Sequence, residues 1–171
     1  MRLAGKAGDT AHMESNATVL DRRWTRVQAE QQVAASVADV WAVLEDPDWL
    51  RWYRPLSDFA VVGGGGVVAG SVVREREWLW KVESVVDVWE EQRALGLAAR
   101  AFNVPGLLRT YHRRFDLTAV DGGTRVELTG GFAFGPTGWI FLPYTYPQMV
   151  GALYFEYRSA LKGLSQLLGS N

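Results

Sequence analysis

Cysteine is absent and histidine nearly so: among 171 residues there are only His12 and His112. The first absence excludes disulfides, thiolate catalysis and cysteine-ligated metals. The second excludes a histidine-rich metal site, and no loop clusters Asp and Glu at the spacing a hard-cation site needs. A surplus of either charge is also missing: 18 Lys and Arg face 19 Asp and Glu, for a net charge of -1. Such a chain has no electrostatic case for nucleic acid. No apolar run approaches the length of a membrane span. The first sixteen residues, MRLAGKAGDTAHMESN, lack the apolar stretch of a signal peptide. Their small and polar content reads as a disordered tail over residues 1–16. Residues 17–171 then form one domain, expected to be cytoplasmic.

The chain is 48% hydrophobic and 22% charged, enough to build a core of ordinary size. Eight Trp are many for this length. Large aromatic side chains fill cores, and they also line pockets for flat or greasy ligands.

Periodicity organises the rest. Thr25 to Ala35 alternates as a strand, with Val27, Ala29 and Val33 on one face. Ser36 then caps a helix, with Asp39 at capping-box spacing, and Val37, Val40, Trp41 and Leu44 form its apolar stripe. Asp46-Pro47 ends that helix and starts a second short one over Asp48 to Tyr53. Phe59 to Val62 reads as a strand, followed by Gly63-Gly64-Gly65-Gly66. No Gly-Lys-Ser/Thr follows that run and a strand comes next, so it is a hairpin connection and not a phosphate loop. Strands are expected over Ser71 to Trp78, Trp80 to Trp89 and Arg93 to Phe102. A hairpin joins Leu107–Val120 to Thr124–Phe134 around Asp121-Gly122-Gly123. Residues 135–147, GPTGWIFLPYTYP, have no clear period. A last helix runs from about Gln148 to Leu168, burying Val150, Leu153, Tyr157, Leu161, Leu164 and Leu168 and turning Glu156, Lys162 and Gln166 outward.

The order strand, two short helices, six strands, long helix resembles the START-like, helix-grip (SRPBCC) superfamily, and within it the polyketide cyclase/dehydrase-type members. The residues that carry the resemblance are Val33-Ala34-Ala35-Ser36 leading into Val40-Trp41, then Asp46-Pro47 with Trp49 and Trp52. Ala119-Val120-Asp121-Gly122-Gly123-Thr124 and the closing Ala160-Leu161-Lys162-Gly163-Leu164 complete it. It spans about residues 24–168, and residues 135–147 are longer and more aromatic than it implies. What it implies is an α+β helix-grip fold, a curved seven-stranded antiparallel sheet wrapped around the C-terminal helix, with a hydrophobic cavity between them. Members include aromatase/cyclases, quinone and lipid binders, hormone receptors, and toxin- or chaperone-related proteins, so fold alone does not set function.

The strand Leu107–Val120 carries the sharpest local anomaly. Phe115 and Leu117 mark one face as inward, and Arg109, Tyr111 and Arg113 share its parity. An inward Arg is expensive unless paired or wetted. A ligand carboxylate, enolate or carbonyl oxygen would meet that cost, as would an internal acid such as Glu75 or Glu77. In a cyclase, Arg113 and Arg109 would stabilise a developing enolate or alkoxide. Tyr111 would donate a proton, and Glu75 would act as a base raised by desolvation. The alternative places both Arg near strand ends in ordinary ion pairs. Glu75 and Glu77 alternate with Arg74 and Arg76, so either set faces in, and a solvated edge with cross-strand pairs accounts for them most simply. His112 reads as a surface residue.

Trp52, Trp80, Phe132, Phe134, Leu153 and Tyr157 are candidate ligand-binding residues. Trp139 and Phe141 head a candidate lid in the aromatic segment, which also reads as a dimer surface or a packed turn of helix. Membrane docking is the least favoured reading of that segment, because no basic residue flanks it. The expected partner is a small hydrophobic molecule, bound by a monomer or homodimer, with no cofactor, metal, nucleic acid or membrane. The leading functional expectation is a cyclase or dehydratase acting on a polyketide-type intermediate. The rivals are a noncatalytic carrier of a lipid, quinone or isoprenoid, and a protein-interaction module with a filled core.

Overall fold

The computed structural model describes residues 25–77, 80–104, 106–140 and 142–169. The tail expected over residues 1–16 lies outside them. The elements are β1 (Thr25–Val33), α1 (Val37–Glu45), a one-turn 3-10 helix (Trp49–Arg51), β2 (Leu56–Val61), β3 (Val72–Glu77) and β4 (Trp80–Glu90). They continue with β5 (Ala94–Phe102), β6 (Leu108–Val120), β7 (Gly123–Phe134), α2 (Pro136–Ile140) and α3 (Leu142–Gly169). All seven strands form one curved antiparallel sheet in the order β1-β7-β6-β5-β4-β3-β2, and α3 packs most closely along β1. The fold is the expected α+β helix grip.

Local chemistry accounts for the early elements. Ser36 and Asp39 form a reciprocal capping box on α1, satisfying amides that helix geometry leaves without partners. Val40, Trp41 and Leu44 bury the stripe below. The second helix is shorter than the Asp48–Tyr53 expectation, and its N-cap, Asp48, makes no side-chain cap bond. Gly63, Gly64 and Gly65 all take positive φ in the β2–β3 connection, a conformation glycine adopts without penalty.

Two glycines seat the long helix. A Cβ on Gly130 of β7 would collide with the Tyr157 hydroxyl, and one on Gly163 of α3 would strike the Trp52 carbonyl. The helix therefore lies closer to β7 and to the 3-10 turn than any side chain at those positions permits. It also starts earlier than expected, at Leu142, and continues through Pro147. A proline inside a helix removes one backbone hydrogen bond, which is why the sequence pattern placed the start just after it. The aromatic segment is thus largely helical, as α2 and the first turns of α3.

Candidate functional site

A cavity of about 620 Å³ lies between α3 and β4, β5 and β6, within the range of small-molecule sites. Trp80, Val82, Phe102, Leu108 and Leu153 supply most of its wall, and Arg54, Ala152 and the exposed Phe155 stand at its mouth. The ionisable wall groups further in are Glu77, Tyr111 and Glu156.

Behind that wall sits Arg113, whose side chain is fully buried. Its Nη2 bonds Glu75, and its Nη1 donates to Glu77 at 2.8 Å and to the Tyr53 hydroxyl at 3.1 Å. Glu156 approaches the same Nη1 at 3.8 Å and accepts a 2.5 Å hydrogen bond from Tyr53. The Tyr53 ring centre lies 4.9 Å from the guanidinium carbon, close enough for a cation–π contact. One guanidinium thus faces three carboxylates. Full ionisation of all three would leave an uncompensated buried charge, which a low-dielectric interior penalises heavily.

The surplus is relieved by a proton. Burial pushes the Glu77 carboxyl well above the usual glutamate range, and the neighbouring Glu156 carboxylate reinforces the shift by charge and by accepting a hydrogen bond. Burial also raises Glu156, against the opposing pull of Arg113 and the hydrogen bonds from Tyr53 and Glu77. Glu77 and Glu156 therefore each hold a proton more readily than a free glutamate, and the titration of one depends on the other. Burial likewise holds Tyr53, Tyr111 and Tyr157 neutral, each raised above the ordinary phenol. The Tyr111 and Tyr157 hydroxyls lie 3.4 Å apart.

The expected site residues divide. Tyr111, Trp80 and Leu153 line the cavity. Tyr157 meets it only through the Tyr111 hydroxyl. Arg113 is buried as expected and Glu75 is buried with it, but as each other's partners, behind the wall and not on it. Arg109 is a correction: it is exposed. The β6–β7 register shifts between Leu108 and Thr110, leaving Arg109 as the extra residue of a bulge, and a bulge breaks the alternation that placed it inward. The solvated edge assigned to Glu75 and Glu77 is also corrected. Both acids face in, while Arg74 and Arg76 face out.

Trp52 is buried against Trp49, Tyr53 and Phe115, and Phe132 packs against Phe134. All three expected wall residues, Trp52, Phe132 and Phe134, are core and do not line the cavity. The side chain of Trp139 and all of Phe141 fall outside the described residues. Glu156 and Tyr53 were missed, and Glu156 was expected to face outward. It lies three residues after Leu153 and one before Tyr157, on the border of the buried stripe. That position was the signal.

Fold, cavity and buried acids together define a helix-grip protein whose hollow is built for an apolar molecule. Residues 25–169 match the family described as polyketide cyclase/dehydrase and lipid transport, and the chain belongs to that family. No curated protein matches it in sequence. Among solved structures it is similar to the Zhui aromatase/cyclase from Streptomyces, with 17% identity, a TM-score of 0.67, and coverage of 85% of this chain and 94% of that one. A START superfamily protein from Mycobacterium smegmatis is similar at 12% identity and TM-score 0.67, covering 85% and 97%. A protein from Mesorhizobium loti matches at 17% identity and TM-score 0.65, covering 86% and 98%. At these identities the likeness is one of fold.

Proposed function

We propose that the protein binds a small hydrophobic molecule in the cavity and acts on it as a cyclase or dehydratase of polyketide-type chains. One arrangement carries this reading: two carboxyls raised by burial, Glu77 and Glu156, with the Tyr111 hydroxyl, on the wall of an otherwise largely apolar hollow. The cavity folds a flexible ketone chain so that a carbon nucleophile meets a carbonyl, removing much of the entropic barrier. The Glu156 carboxylate takes a proton from a methylene between two carbonyls. The resulting enolate carbon forms a bond to a second carbonyl carbon, whose oxygen picks up a proton from Glu77 or Tyr111 to become a hydroxyl. Loss of water follows when the group that gave this proton takes another from the adjacent carbon and the hydroxyl departs with the proton Glu156 gained in the first step, which restores both groups. Neither oxidant nor reductant is consumed. Arg113 is a positioning residue in this scheme: it holds both carboxyl groups in place and touches no substrate.

A second reading, a noncatalytic carrier, is favoured by a specific observation. Glu77, Glu156, Tyr53 and Tyr111 already have partners inside the protein, as a passive wall requires. The filled core expected of an interaction module does not fit a 620 Å³ hollow. Native mass spectrometry with a panel of poly-β-ketones, quinones and isoprenoids, followed by product analysis, separates the readings. A ligand released chemically changed, with turnover lost but binding kept in Glu156→Gln, supports the cyclase. A ligand released unchanged supports the carrier, and no capture of any panel member removes both.

A further inference from the structure

We infer that the inner end of the cavity selects a neutral hydrogen-bonding head group, an alcohol, phenol or ketone, and rejects a carboxylate. The inference rests on the binding reading above and names the class of ligand that reading admits. The argument is a charge count tied to geometry. Glu77 and Glu156 form part of the wall, Glu75 and Arg113 lie behind it, and the phenols of Tyr53, Tyr111 and Tyr157 are the other titratable groups packed around them. Among the described residues Arg113 is the one cation of this cluster, and three of its contacts are carboxylates. Even with one of Glu77 and Glu156 protonated, the cluster carries net negative charge.

An anionic head brought to this wall meets like charge in a water-poor site and loses its hydration with no free cation to replace it. Both Nη groups of Arg113 are already engaged, and its Nε, which has no hydrogen-bond partner, is buried behind the wall and does not line the cavity. A neutral head suffers neither loss. It accepts a hydrogen bond from the Glu77–Glu156 proton or the Tyr111 hydroxyl, or donates one to Glu156. Arg54 stands at the mouth and donates to Gln166 at 2.6 Å, so a carboxylate's ion-pairing option lies at the entrance and not at the inner end.

The test uses decanol and decanoate, matched in chain length, titrated calorimetrically at mildly alkaline pH into wild type, Glu156→Gln, and Glu77→Gln/Glu156→Gln. Decanol is expected to bind wild type at least about tenfold more tightly than decanoate, a gap of about 1.4 kcal/mol. The double variant, whose remaining Glu75 balances Arg113, is expected to narrow that gap to about threefold or less by admitting decanoate. The single variant narrows it partly and serves alone if melting curves show the double variant unfolded. A gap that stays the same in folded variants reflects only the poorer partitioning of an anion and overturns the inference. Tight decanoate binding to wild type overturns it too, including binding that disappears in Arg54→Ala, which would place the acid at the mouth. If neither probe binds folded wild type, the binding reading falls and takes this inference with it.

Discussion

Beside the 3-10 turn, the space between sheet and helices is filled by rings. Trp49 stacks on Phe59 at 4.8 Å with its plane tilted only 6°, and meets Phe115 edge-on at 5.7 Å. Trp52 closes on the same Phe115 at 6.0 Å. Between α3 and strands β4 to β6, Trp80, Val82, Phe102, Leu108 and Leu153 instead line a cavity of about 620 Å³ that they do not fill. One sheet and the helices packed on it thus enclose a solid half and a hollow half. The Arg113 cluster stands on the boundary, with Tyr53 and Trp49 on one side of the guanidinium and the cavity acids on the other. A charge cluster needs packed walls to hold its geometry and a hollow to act upon. The boundary supplies both.

The comparison breaks first at Arg113. Arg113→Ala strands two buried carboxyl groups and the half-buried Glu156, and removing one partner of a buried ion pair costs about 3–5 kcal/mol. Urea denaturation should show a loss of that size. A loss below about 1 kcal/mol would mean that water reaches the acids and the boundary is not dry. Next comes the contrast between halves. Phe115→Ala in the solid half should cost about 3–5 kcal/mol, whereas Leu153→Trp in the hollow half should leave the melting temperature near wild type and abolish ligand capture. Equal destabilisation by the two would erase the distinction. Gly130→Ala should cost about 1–3 kcal/mol by driving the new methyl into Tyr157. Tyr157→Phe in the same chain should recover part of it, because the hydroxyl is the nearest atom.

The pH dependence sharpens the boundary further. Glu77 and Glu156 hold protons more tightly folded than unfolded. Between the ordinary glutamate value, about 4.3, and their raised folded values, the native state therefore binds more protons than the unfolded chain. Their contribution to stability is full below that window and falls as pH rises through it. Glu77→Gln should flatten this fall in melting temperature with pH, and an unchanged slope would show that burial does not raise Glu77. The smallest effect is expected at the mouth. Phe155 is 73% exposed, so Phe155→Ser should change stability by no more than about 0.5 kcal/mol while weakening capture of a hydrophobic probe.

Much of the architecture was readable from short-range chemistry. Ser36 and Asp39 announced α1, the Asp121-Gly122-Gly123 turn announced the β6–β7 hairpin, and the helix stripe predicted that Leu153, Tyr157, Leu161 and Leu164 are buried. Errors fell where a local rule is overridden by a neighbour. Alternation placed Arg109 inward until a bulge reversed it. Pro147 marked a helix start that packing moved upstream. Helical spacing left Glu156 outward because its residue type, at the border of the stripe, suggested solvent.

The order of strands and helices, the inward direction of Arg113 and the dearth of metal-binding side chains were all determined by sequence alone, because each depends on residue type and on periods of two or 3.6. Which acids meet that arginine, and that Glu77 and Glu156 are raised by burial beside it, was decided by tertiary structure. Glu75 and Glu77 of β3, Arg113 of β6, Tyr53 beyond the 3-10 turn and Glu156 of α3 lie as much as 103 residues apart in the chain. Only the curvature of the sheet around the helix brings them within hydrogen-bonding distance and leaves the hollow beside them.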